Sequence, residues 1–194
     1  MLVAHPGSGR SVSRLQRGHE ADLVILQREA TLQVLLQHTT RTHGPTRQWA
    51  ARLVAGGGKV RTIPVVPNRV IVHDRERAML PPSGRGGSDR AVVVRDPMVV
   101  GFIVAVHQVL WSQASEYPVT SRDGLRDGDT IDPALRRAVL DQLITGAKDA
   151  VTARRLGMSV RTCRRYIAAI ARELGAESRF QAGALAQRAG LLDP

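Results

Sequence analysis

Apolar positions along the chain follow two patterns, with a change near residue 118. Before it, short β-branched runs alternate with helical stretches. After it, the apolar series step by three and four residues. Residues 1–16 have no sustained apolar period and are rich in Gly, Ser, Arg and Pro, which predicts a disordered tail. Leu15, Leu23 and Leu26 predict a helix ending near Arg28, and residues 31–37 have the length and apolar content of a strand, although Leu35 and Leu36 fit either state. Gly44 and Pro45 open a helix carrying Trp49, Leu53 and Val54, which Gly56, Gly57 and Gly58 stop. Residues 59–66 follow as a β-branched run whose end Pro64 and Pro67 confine to an edge or a turn.

Residues 69–73 and 78–80 flank a polar turn at 74–77, a hairpin signal, while residues 81–88 have the composition of a loop and 90–95 that of a strand with an apolar centre. Asp96 then caps a helix with Pro97 at its first position, and Val99, Val100, Ile103, Val106, Leu110 and Trp111 give it a broad apolar stripe. Residues 118–131, with Gly124 and Gly128 among Asp and Thr turn formers, read as a linker. The expected class is α+β: a small mixed α/β domain over 17–117, then an all-α four-helix domain over 132–194.

In the second domain Asp132 and Pro133 repeat the cap-and-proline device before Leu135, Val139, Leu140 and Leu143, and Gly146 ends that helix. A second helix covers about 149–156. Gly157 suits a tight turn because it lacks a β-carbon, and Ser159 can cap a third helix over about 160–174. There Val160, Cys163, Ile167, Ile170 and Leu174 step by 3, 4, 3 and 4, which commits one face to a core. The other face shows Arg161, Thr162, Arg164, Arg165, Tyr166, Ala168 and Ala169, long donors followed by small residues, as a helix entering a DNA major groove would. A fourth helix runs from Ser178 to about Ala189. Phe180 is expected to plug the bundle, and Ala182, Gly183, Ala184 and Ala186 suit packing against a second copy or filling a crowded monomer core.

Charge agrees with a phosphate-rich partner. Of 194 residues 28 are basic and 17 acidic, a net +11 carried almost wholly by arginine, since Lys59 and Lys148 are the only lysines. No stretch approaches the roughly 20 apolar residues of a membrane span, and the first residues lack the apolar core of a signal peptide, so a cytoplasmic protein is expected. Cys163 is the single cysteine and lies on an apolar helix face, which reads as core filler, rules out an intrachain disulfide and argues against a cysteine-based zinc site. No cofactor or metal is expected.

The stretch from about Asp132 to Leu192 resembles the LuxR/GerE-type four-helix DNA-binding domain, through Leu-Gly-Met-Ser-Val-Arg-Thr (156–162), Leu-Gly-Ala (174–176) and Ser-Arg-Phe-Gln-Ala (178–182). The resemblance implies that Arg161, Arg164, Arg165 and Ala168 face bases or nearby phosphates. It further implies that Thr162, Tyr166 and Arg179 lie near backbone phosphates and that the last helix can form a homodimer. Lys148 joins these candidate DNA-binding residues at a position where such domains often have a Ser or Thr cap; Thr152 replaces a usual core Ile or Val, and Cys163 a usual Val.

The region from about Leu15 to Pro118 resembles the rear half of the phospholipase-D-like effector domain of TrmB-like regulators that end in a LuxR-type domain. The phrases are Leu-Leu-Gln-His-Thr-Thr-Arg (35–41), Gly-Gly-Lys-Val-Arg-Thr (57–62), Arg-Val-Ile-Val-His-Asp-Arg (69–75) and Val-Val-Val-Arg-Asp-Pro (92–97). The front half and winged helix that such proteins usually carry have no counterpart in these residues, so the effector domain is expected to be incomplete or completed by a second chain. Phospholipase-D chemistry needs His-x-Lys, which does not occur. His38, His43, His73 and His107 are scattered and read as surface or hydrogen-bonded residues, so a non-enzymatic protein is expected.

The reading is a sequence-specific DNA-binding transcriptional regulator with double-stranded DNA as its partner. An unidentified effector ligand for the first domain stays open. The alternatives are an interaction module whose helix-turn-helix no longer binds DNA, and a sigma-factor-like promoter-binding protein, which the 3% aromatic content disfavours.

Overall fold

Four residues at the start of the chain, Leu2–His5, form β1 at the heart of a mixed sheet. The computed structural model describes residues 1–7, 22, 24–27, 30–81, 90–118 and 131–192, and the chain is of mixed α+β class. It divides into two units, Met1–Thr120 and Ser121–Pro194.

In the first unit the strands are β1, β2 (Gln33–Gln37), β3 (Lys59–Ile63), β4 (Val70–His73), β5 (Arg77–Leu80), β6 (Val92–Val94) and β7 (Ser115–Glu116), in the order β6-β5-β4-β1-β2-β3-β7. β1, β2 and β3 run parallel, and the remaining pairings are antiparallel. Side chains alternate across this sheet, so its two faces bury different sets. Val3, Val34, Leu36 and Val60 pack with Trp49 and Leu53 of helix α1 (Gly44–Ala55). Leu2, Val72 and Ala78 pack with Val100 and Val104 of helix α2 (Pro97–Gln113), and Ala4, Leu35 and Ile63 with its Trp111.

The expectation of a disordered tail is therefore wrong for its first residues. Leu2–His5 pairs with β2 on one side and β4 on the other, and all four residues are buried. Residues 8–16, most of the expected loop over 81–88 and most of the expected linker, 119–130, lie outside the described residues. β3 is an interior strand between β2 and β7, and it stops before Pro64, so the prolines fall in the turn. The stripe expected on α2 is rotated: Val100, Val104, His107 and Trp111 point inward, whereas Val99 and Val106 are exposed.

His38 and His43 are hydrogen-bonded. The His38 ring meets the Thr62 hydroxyl at 2.9 Å, and His43 caps α1 by accepting from the Thr46 amide. His107 departs from that expectation. It is buried, stacked on Trp111 with ring centroids 5.9 Å apart, and neither ring nitrogen has a hydrogen bond of normal geometry among the described residues. Burial holds its pKa below the ordinary 6.5, with the Val3 backbone pulling the other way.

Just below pH 6.5 the unfolded chain thus binds more protons at this residue than the folded one, so His107 removes stability as the pH falls through that range and is without effect well above it. Replacing it by an apolar side chain removes both the orphaned nitrogens and the titration. For His107→Leu we expect a smaller drop in melting temperature than wild type between about pH 7.5 and 5.5. Identical drops would mean that the imidazole is solvated.

The second unit has four described helices: α3 (Pro133–Ile144), α4 (Asp149–Arg155), α5 (Val160–Glu173) and α6 (Arg179–Arg188). Three begin with a side-chain cap. Asp132 accepts from the amides of Ala134 and Leu135, Ser159 from Thr162 and Ser178 from Gln181, satisfying donors that a helix start otherwise leaves unpaired. Leu135, Val139, Leu140 and Leu143 of α3 meet Leu156, Ile170 and Ala186 in one core. Gly157 turns the chain between α4 and α5 with φ of 65°, where a side chain would be strained.

Candidate nucleic-acid interface

The exposed face of α5 carries Arg161, Arg164, Arg165, Ala168 and Arg172, spaced so that one stripe runs the length of the helix. Its opposite face is fixed by Cys163, Tyr166 and Ile170. The Ser159 cap holds the arginine-rich start of α5: its hydroxyl accepts from the Thr162 amide at 3.0 Å and meets the Thr162 hydroxyl at 2.8 Å. Thr162 is thus engaged by the cap and only partly exposed.

Asp149, the first residue of α4, gathers two of the candidate cations. Its carboxylate accepts from Arg164 Nε at 3.2 Å and from Arg179 Nη1 at 3.3 Å, while Arg179 Nη2 donates to the Ala147 carbonyl at 2.6 Å. One carboxylate therefore ties the start of α4 to α5 and α6 and orients both guanidinium groups. Its charge also suits the electropositive start of α4, whose N-cap Lys148 makes no side-chain hydrogen bond. Arg165 is steadied differently, with its guanidinium 5.4 Å from the centroid of the Tyr166 ring. Among the described residues no partner holds Lys148, Arg154 or Arg161, and all three are exposed.

Three sequence expectations are corrected here. Tyr166, placed among the groove-facing residues, is 8% exposed and belongs to the core, because it follows Cys163 by three residues and precedes Ile170 by four. Val160, assigned to the core, is 37% exposed at the first position of α5. Phe180, expected to plug the bundle, is 85% exposed; Ala182 and Ala186 of α6 fill that place. Cys163 is fully buried, and its thiol pKa is pushed up by burial first and by Asp149 second, against Arg179 and Arg164.

No family model matches the chain. It is similar to the bialaphos biosynthetic pathway regulatory protein of Streptomyces hygroscopicus, 33% identical over 147 residues. That match covers 75% of this chain and 56% of the relative, so the chain spans just over half of the curated relative's length. A solved structure of TrmBL2, an archaeal chromatin protein described as showing a novel mode of DNA binding, is similar with a TM-score of 0.44 at 13% identity. It covers 59% of this chain and 44% of its own, a likeness too slight to decide anything.

Two residues of the interface were missed in the sequence. Arg172 lies seven residues after Arg165, so helical spacing alone could have found it. Asp149 gave no such signal, because its role comes from two arginines 15 and 30 residues later that only the packed helices bring to it.

Thr152 stands in α4, fully buried, and its hydroxyl has no hydrogen-bond partner among the described residues. Valine has nearly the same shape without the polar atom. Thr152→Val is expected to stabilise the helical unit by about 1 kcal/mol in urea unfolding, the rough gain from relieving an unpaired buried hydroxyl. A loss of similar size would mean that the hydroxyl is bonded in solution.

Proposed function

We propose that this chain is a sequence-specific DNA-binding transcriptional regulator whose second unit is a LuxR-type helix-turn-helix, with α5 as the recognition helix. The observation that carries this reading is the exposed stripe Arg161, Arg164, Arg165, Ala168 and Arg172 on a capped helix whose other side is packed. Guanidinium groups at that spacing can donate to guanine edges and phosphates, while Ala168 allows the helix to approach the groove closely. The regulatory name of the Streptomyces relative supports a regulatory role. In this reading the protein is not an enzyme and works in the cytoplasm. The first unit resembles an effector domain of the TrmB-like kind and carries whatever signal the regulator receives. Within the described residues no helix is long and apolar enough to cross a membrane.

Arg165 and Arg179 divide the labour. Arg165 sits in the middle of the stripe and reads bases; Arg179, held at the start of α6 by Asp149 and Ala147, contacts the backbone. The test is selection from a random duplex library with the full chain at two salt concentrations, followed by binding of Arg165→Ala and Arg179→Ala to the enriched and to scrambled duplexes. We expect one enriched sequence class and salt-sensitive affinity. Arg165→Ala should shrink the ratio of specific to scrambled binding by roughly tenfold, and Arg179→Ala should weaken both alike. Salt-sensitive binding without enrichment would make the protein a non-specific binder. No binding at either salt would favour the interaction module, a reading to which the uncapped start of α4 and the unpaired Thr152 hydroxyl lend some weight.

A further inference from the structure

Helix α2 is apolar on both sides. Its 17 residues include no charged side chain, and its inward face is already committed to the sheet through Val100, Val104, His107 and Trp111. The outward face nevertheless presents Met98, Val99, Phe102, Val106 and Val109, of which Met98 is 86% and Phe102 70% exposed. On a helix of 3.6 residues per turn these five fall within one stripe of about 100°. Gly101 borders the stripe, and a β-carbon built there would meet nothing within 4 Å. Val92 of the edge strand β6 is also exposed. A helix that is hydrophobic all round is normally buried all round.

We infer that this face of α2 is covered by a second copy of the chain, so that the first unit forms a two-fold dimer with α2 packed against its counterpart. Three observations select that occupant. The chain carries a net +11, so two copies repel one another over most of their surface, and an uncharged face is where they can meet. The exposed parts of these five side chains and Val92 amount to on the order of 600 Å², most of the roughly 800 Å² that each partner contributes to a standard interface. An apolar stripe is also self-complementary under a two-fold axis, as an interface between identical subunits requires. An apolar cavity of about 150 Å³ opens beside Phe102 and Val106, with room for a side chain from across the axis. A lipid surface is disfavoured because α2 has no cationic polar face to lie among headgroups.

This inference goes beyond the DNA-binding reading and is tested without DNA, so the two can fail separately. The measurement is sedimentation equilibrium of the full chain over a micromolar concentration range, for wild type, Phe102→Asp, Val109→Lys and Phe180→Asp. Phe102 and Val109 are exposed, so neither change removes a core contact, and the circular dichroism spectrum and melting curve check the fold of each variant. Wild type and Phe180→Asp are expected to be dimers. Phe102→Asp and Val109→Lys are expected to raise the dimer dissociation constant at least roughly 100-fold, as a charge left unpaired at the centre of an apolar interface should. If one of these two variants fails to fold, the other decides. A monomeric wild type, dimers unchanged in both α2 variants, or dissociation by Phe180→Asp alone would overturn the inference, the last in favour of an interface on α6.

Discussion

Removing Arg161, Arg164 and Arg165 together by alanine substitution is expected to cost at least roughly 100-fold in affinity for the preferred duplex at physiological salt. Each lost phosphate contact lowers the steepness of log affinity against log salt by about 0.9, and each lost bidentate base contact costs about 1–3 kcal/mol, so one contact of each kind reaches that size when the base contact is worth about 2 kcal/mol. The fold should survive. All three side chains are exposed, and the face that holds α5 in place, Cys163, Tyr166 and Ile170, is untouched. Losing Arg164 frees one oxygen of Asp149, but Arg179 and the Ala147 carbonyl still join the start of α6 to that of α4. Fluorescence anisotropy on the selected duplex at several salt concentrations gives both the affinity and the slope. A variant that binds within about threefold of wild type, with the same slope, would remove α5 from the interface.

The helical unit was legible because its signals are local. Asp132 with Pro133, Gly157 with Ser159, and Ser178 each act on backbone groups within three residues of themselves, so the sequence alone places the helix starts. Side-chain direction was less legible. Tyr166 carries a hydroxyl and stands beside arginines, so its residue type suggests the groove, whereas its spacing from Cys163 and Ile170 turns its ring into the core. Phe180 shows the converse: an aromatic ring reads as core filler, but it stands about 200° around α6 from Ala182, which with Ala186 makes the buried face. On α2 periodicity fails for a different reason: apolar residues on every side leave no contrast from which to tell the inner face from the outer. Where the pattern is silent, the exposed face is the one that calls for a partner.

Val3→Asp is expected to unfold the first unit of the chain. Val3 is 6% exposed in β1, and its side chain is packed with Val34, Leu36, Val60, Trp49 and Leu53. β1 has neighbours on both edges, β2 and β4, so the strand cannot shift to carry a carboxylate to solvent without giving up both pairings. Burying an unpaired carboxylate, or protonating it to avoid the charge, costs several kcal/mol, close to the roughly 5–15 kcal/mol that holds a whole domain. Val65→Asp is the control: it places the same charge at a 38% exposed position just past β3 and should change stability by no more than about 0.5 kcal/mol. The contrast separates two accounts of the first residues. Their composition, with Pro6 and Gly7 directly after four apolar or weakly polar residues, carries no period long enough to announce a strand. What makes them one is register with residues about 30 and 70 positions away in the chain. If Val3→Asp melts like wild type, those contacts do not hold β1 in the sheet and the reading of a disordered tail returns. If it unfolds while Val65→Asp does not, the start of the chain is part of the core that the first unit depends on.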